Sequence, residues 1–139
     1  MTSEVLIAGS RYVSQAAIDY ARSVVRRVKA RGFTVLVGDN PQGIDAAVVR
    51  ACADFGVQVL VVGVSAKPRI KGYVGAYKRV EVKAREVAQK YGQRDQWMID
   101  RAAICMFVWN GESNGTKAGY DYAMQQGKDA HLRTFNGVK

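Results

Sequence analysis

Four short, continuous apolar runs alternate with stretches of helical period, and this alternation restricts the fold more than any other feature of the chain. Val5–Ala8, Phe33–Val37, Val57–Val62 and Ala103–Trp109 are too short for helices and apolar on successive residues, the pattern of strands buried on both faces. Between the first two, Ala17, Ala21, Val24, Val25 and Val28 recur at helical spacing behind a capping Ser14, up to about Ala30, and Gly32 stops them. Ile44, Ala47, Val48, Ala51 and Phe55 do the same from about Gln42 to Phe55, with Gly56 as the stop. The spacing predicts three more helices, over about 74–91, Arg94–Ala102 and Thr116–Gln126, and a last short strand at Asp129–Arg133. The fold class expected is α/β: a single-domain, Rossmann-like parallel sheet of about five strands with helices on both faces and right-handed crossovers. With 139 residues, 1–139 make one domain able to bury roughly two-thirds of its unfolded surface.

Turns at the carboxyl ends of parallel strands converge on one crevice. Three turns here have anion-holding chemistry: Gly9-Ser10-Arg11, then Gly38 through Asp45, then Asn110 through Thr116. Glycine lets backbone N–H groups approach an anion, and the helix that follows adds its positive end. Ser10 can donate a hydrogen bond and Arg11 can grip a phosphate as a fork. In the second turn Gly38, Asp39 and Gly43 frame Pro41, and Asp45 either caps the helix start or accepts from a ribose hydroxyl. The third turn offers Asn110, Gly111, Ser113, Gly115 and Thr116. Neither Gly-x-Gly-x-x-Gly nor a Gly-Lys-Thr/Ser loop occurs.

Charge is concentrated. The chain has 21 Lys and Arg against 12 Asp and Glu, net +9, and residues 67–94 alone hold nine basic and two acidic side chains. Such a patch is either a solvated face, a rim that steers an anionic ligand, or a contact for nucleic acid, with Tyr73, Tyr77 and Tyr91 between the bases. Cys52 and Cys105 are isolated and read as packing residues. No His/Cys/Asp cluster has metal-ligand spacing, and one histidine, His131, gives no basis for a nucleophilic triad. The beginning of the chain lacks a basic segment followed by an apolar run, and no apolar stretch approaches the ~20 residues that span a bilayer, so a cytoplasmic protein without a membrane partner is expected.

Leu6-Ile7-Ala8-Gly9-Ser10-Arg11, Gly38-(four residues)-Gly43-Ile44-Asp45, Arg94-Asp95-(two residues)-Met98 and Gly115-Thr116 stand in an order that resembles the SLOG superfamily. This group includes the cytokinin-activating LOG phosphoribohydrolases, the DNA-processing protein DprA and the small YspA/YpsA-like proteins, and the chain looks closest to the small YspA-like branch. The resemblance covers nearly the whole chain and implies a nucleotide-binding Rossmann-like fold that forms homodimers or larger homo-oligomers. Against compact relatives, about 67–94 reads as a basic helical insertion. LOG-type enzymes carry Gly-Gly-x-Gly-Thr-x-x-Glu, whose Glu is essential for cleaving the glycosidic bond; here that position is Gly119. Arg94 takes the place of the family's catalytic Arg but lacks this partner.

The expectation is therefore binding of a nucleotide or nucleotide-derived anion, as sensor, carrier or sequestering protein, with no cofactor. Gly9, Ser10, Arg11, Gly38, Gly43 and Arg94 would meet phosphate, with Gly115 and Thr116 closing the third side. The alternatives are LOG-like hydrolysis of a nucleoside 5′-monophosphate, with Arg94 catalytic, and DprA-like binding of single-stranded nucleic acid.

Overall fold

The apolar runs become adjacent strands of one sheet in a computed structural model that describes residues 2–137. The first run is β1 (Glu4–Gly9), followed by α1 (Gln15–Ala30); the second is β2 (Thr34–Gly38), followed by α2 (Gly43–Phe55). Next come β3 (Val59–Gly63), β4 (Ala76–Arg79) and α3 (Val87–Arg101), then β5 (Ile104–Trp109), α4 (Asn114–Gln125) and β6 (Asp129–Thr134). Among the described residues this makes six strands, one more than expected, in the order β4-β3-β2-β1-β5-β6, with every pairing parallel. The chain works outward from β1 to one edge and then restarts at β5 on the other side. The strand order therefore reverses between β1 and β5, and crevices in open parallel sheets form where that happens.

Two apolar layers hold the sheet. On one face α1 and α2 bury Ala21, Val25, Ile44 and Val48 against Ile7, Val35, Val37 and Val61. On the other, α3 and α4 bury Met98, Ile99 and Ala123 against Leu6, Leu36, Cys105 and Phe107. Ser14 caps α1 as expected, accepting from Ala17 N–H at 3.2 Å. Cys52 and Cys105 are buried one in each layer, and burial pushes their thiols up to about 12 and about 11. No helix among the described residues is long and apolar enough to cross a membrane.

The helix expected over 74–91 is not formed. Residues 76–79 are the edge strand β4, 80–86 run on without helix, and α3 begins only at Val87 and absorbs the short helix expected at Arg94–Ala102. The spacing of three between Tyr77 and Val80 was misleading. On a helix it keeps two residues on one face, but on an extended chain an odd spacing sends them to opposite faces. Tyr77 indeed packs into the α1/α2 layer, whereas Val80 and Val82 pack into the α3/α4 layer. The exposed Lys78 and Arg79 lie on this edge strand, where charge discourages pairing with a further chain.

Candidate functional site

Ser10 ties the three turns together. Its N–H donates to Val108 O at 3.1 Å, and its carbonyl accepts from Ile44 N–H at the start of α2 at 3.2 Å. Its hydroxyl accepts from Asn110 N–H at 3.0 Å and shares hydrogen bonds with Ser113 Oγ at 2.7 Å and Thr116 Oγ1 at 3.5 Å. Ser10 is thus a fully engaged buried strut. Gly9 permits the junction, because a Cβ there would overlap Ile44 and lie 2.6 Å from Val108 O.

The second turn is built around charge. Asp39, with no exposed surface, accepts from Arg69 N–H and Nε at 3.0 Å each and from Arg94 Nη1 at 3.0 Å. Arg94, also buried, gives its Nε and Nη2 to Asp95 at 3.1 and 2.9 Å. Gly38 makes room for this group: a Cβ there would lie 2.6 Å from Asp45 Oδ2 and 2.9 Å from Arg94 Cζ. Gly43 has φ +72° and sits against the carbonyls of Ser10 and Arg11, which docks α2 on the first turn.

Asp45 caps the second turn by accepting from Asn40 N–H at 3.1 Å, and makes no ion pair with Arg94 among the described residues. Burial drives its carboxyl up to about 6, against the opposing pull of Arg94 and the Asn40 N–H. The folded chain holds this proton to higher pH than the unfolded chain, so Asp45 favours folding most at low pH and loses that contribution between about pH 4 and 6. Asp45→Asn keeps an acceptor for Asn40 and removes the buried charge. Its unfolding midpoint should match the parent near pH 4 and exceed it by roughly 5 °C at pH 7.5, a gain of about 1–2 kcal/mol. A difference independent of pH in calorimetric melts would contradict this.

In the third turn Asn110 Oδ1 accepts from the N–H groups of Glu112 and Ser113 at 2.8 and 2.9 Å, and its Nδ2 donates to Tyr12 O at 2.9 Å. Trp109 Nε1 holds the Ser113 carbonyl at 2.8 Å. Ser113 precedes α4 without a side-chain cap on its first turn, and a Cβ on Gly115 would meet nothing within 4 Å. The first N–H groups of α4 thus have no side-chain cap, and the start of this helix borders a crevice, where a helix favours negative charge.

These turns line a crevice of about 330 Å³ at the carboxyl ends of β1 and β5. Leu6, Met98, Ile99 and Phe107 form its apolar floor, and Gly119 leaves the floor open, since a Cβ there would press to 3.1 Å from Phe107. A wider bay of about 710 Å³ continues from it between α3 and α4. Of the residues expected at the site, Gly9, Ser10, Arg11, Asp45, Arg94, Asn110, Ser113, Gly115 and Thr116 line the crevice. Gly38, Asp39, Gly43 and Gly111 do not. The first three shape the wall from behind, and Gly111, at φ +86°, turns toward Asn136. Arg94 reaches the crevice already neutralised by Asp39 and Asp95, whereas the exposed Arg11 forms no ion pair among the described residues. Sequence reasoning missed Tyr12, Asn40 and the apolar floor. Tyr12 directly follows the Gly-Ser-Arg turn and could have been found there; Leu6 and Met98 stood in motifs without a role of their own, and Ile99 and Phe107 looked like ordinary core.

No protein-family model matches this sequence, and no curated protein matches it either. Solved structures do match its fold. The molybdenum cofactor binding protein from Rippkaea orientalis superposes with a TM-score of 0.81 at 10% identity, over 98% of this chain and 78% of its own. A molybdenum cofactor carrier protein from Chlamydomonas reinhardtii gives 0.69 at 15%, over 97% and 79%. DNA processing protein A from Helicobacter pylori, whose structure concerns its single-stranded DNA binding mode, gives 0.76 at 12%, over 99% and 68%. The chain shares the Rossmann-like fold of these structures. Cofactor carriers and DNA processing protein A thus share with this chain one fold, and no finer branch is distinguished. One expectation is overturned. The expectation of no cofactor does not stand, because the structures similar to this chain include proteins named for the molybdenum cofactor.

Proposed function

We propose that the chain binds a phosphate-bearing heterocycle, a nucleotide-derived molecule or a cofactor of the molybdenum cofactor type, in the crevice between β1 and β5, as carrier or sensor in the cytoplasm. The observation that carries this reading is the pairing of two unlike surfaces in one crevice. The uncapped start of α4 and the exposed Arg11 favour a phosphate, while the buried Leu6, Met98, Ile99 and Phe107 back the crevice with apolar side chains beside which a ring can lie. The donor set fits the phosphate-and-pterin part of the molybdenum cofactor as well as it fits a nucleotide. Arg11 and the N–H groups of Gly115 and Thr116 would hold the phosphate, and Asp45 would accept from ring N–H or ribose hydroxyl groups. When bound, the molybdenum cofactor would be cargo whose redox chemistry serves another protein. Binding is preferred to LOG-like hydrolysis because the position of the essential Glu is Gly119, packed near Phe107.

Calorimetry with AMP, together with native mass spectrometry of the purified protein and identification of any released molecule, tests this. AMP affinity should fall about tenfold in Arg11→Ala, the loss of one charge-assisted hydrogen bond, with an unchanged unfolding midpoint because Arg11 is exposed. A retained phosphate-bearing heterocycle would support the reading equally. If no such molecule is retained, AMP does not bind, and a single-stranded oligonucleotide binds with steep salt dependence, the nucleic-acid alternative replaces it. That alternative has seven basic residues of 67–94 in its favour, those other than Arg69 and Arg94, which form no ion pair among the described residues.

A further inference from the structure

The crevice continues past the phosphate position into a second bay, and the two share a wall. Arg11, Asn40, Arg94 and Gly115 border both. The first bay, about 330 Å³, lies at the small end of small-molecule sites and suits one ring with its phosphate. The second, about 710 Å³, is more than twice as large. It stays open because the facing parts of α3 and α4 carry small residues there: Ala88 and Gly92 on one helix, Gly115 and Ala118 on the other. A Cβ on Gly92 or Gly115 would meet nothing within 4 Å.

The second bay also has a planar aromatic wall. The Arg69 guanidinium carbon lies 4.1 Å from the centroid of the Tyr91 ring, and the Arg94 carbon 4.9 Å from it. Arg69 is pinned there by Asp39, through backbone N–H and guanidinium together, so the stack is set before any ligand arrives. Flat guanidinium and phenol surfaces are what nucleobases stack on, and such contacts are sequence-tolerant because every base has a π-face.

We infer that the crevice is built for a two-armed ligand, two ring systems joined through phosphate, with one ring on the apolar floor, the bridge at Arg11 and the start of α4, and the second ring on the Arg69–Tyr91 stack. This rests on the phosphate-and-ring reading of the first bay and adds the class of molecule.

The test compares AMP, ADP and diadenosine diphosphate by calorimetry on the full chain. Diadenosine diphosphate should bind at least tenfold more tightly than AMP, and ADP should not reproduce the gain, which separates the second ring from the second phosphate. Ala88→Trp, at an exposed helix position, fills the second bay and should reduce the ratio of the two affinities to about one. Ala118→Trp fills it from α4 and serves as the second variant if the first melts early. AMP binding that weakens with Arg11→Ala, alongside a diadenosine diphosphate affinity no better than AMP, or a gain that survives both tryptophans, overturns the two-armed ligand and leaves the first reading standing. If none of the three binds and the purified protein retains no phosphate-bearing heterocycle, both fall together.

Discussion

Replacing Asp39 with alanine should lower the folding free energy by about 3–5 kcal/mol, because it removes the buried acceptor shared by the buried Arg94 and the partly exposed Arg69. The carboxylate is the common acceptor for Arg69 and Arg94, and it joins the end of β2 to the connection between β3 and β4 and to α3. Without it Arg94 keeps only Asp95, and the Arg69 N–H loses its acceptor. Asp39→Asn retains a neutral acceptor and should fall between the parent and the alanine variant. Urea denaturation of the three proteins measures this directly. A loss below about 1 kcal/mol for the alanine variant would mean that this ion network does not hold the 64–75 connection in place.

Gly43→Ala should cost about 3 kcal/mol. Part comes from a left-handed backbone, φ +72°, that an L side chain adopts at a penalty of about 1–2 kcal/mol. The rest comes from a Cβ that would overlap two backbone carbonyls, those of Ser10 and Arg11, neither of which can swing away as a side chain would. Gly115→Ala is the matched comparison, since that position is open space, and it should change stability by less than about 1 kcal/mol. Equal melting temperatures for the two variants would refute the packing described for Gly43.

The fold was legible because its signal is repeated. Buried parallel strands such as Val59–Gly63 need apolar residues on both faces, and helices such as α1 need one stripe, so the two periods separate cleanly. The edge strand was illegible for the converse reason. Of Ala76–Arg79 only Tyr77 is even half-buried, and a strand with one covered position leaves no period to read. At the site, turn chemistry placed Gly9, Ser10, Arg11, Gly115 and Thr116 at the crevice. It could not tell a residue that would touch a ligand from one that braces the wall. Asp39 stands in the same turn as binding candidates, and its surroundings give it a bracing task. The reason is Arg69, thirty positions away on an irregular segment, whose proximity no local pattern announces.

The hydroxyl of Ser10 joins the first turn to the third, and its carbonyl joins the first to the second. Order in the crevice is therefore a by-product of folding and not a cost met at docking. Affinity and global stability become linked quantities here. On the proposed binding role, a substitution deep in either apolar layer that raises the population of locally opened turns would weaken the ligand by the fraction of molecules it disorders, although no contact to it has changed.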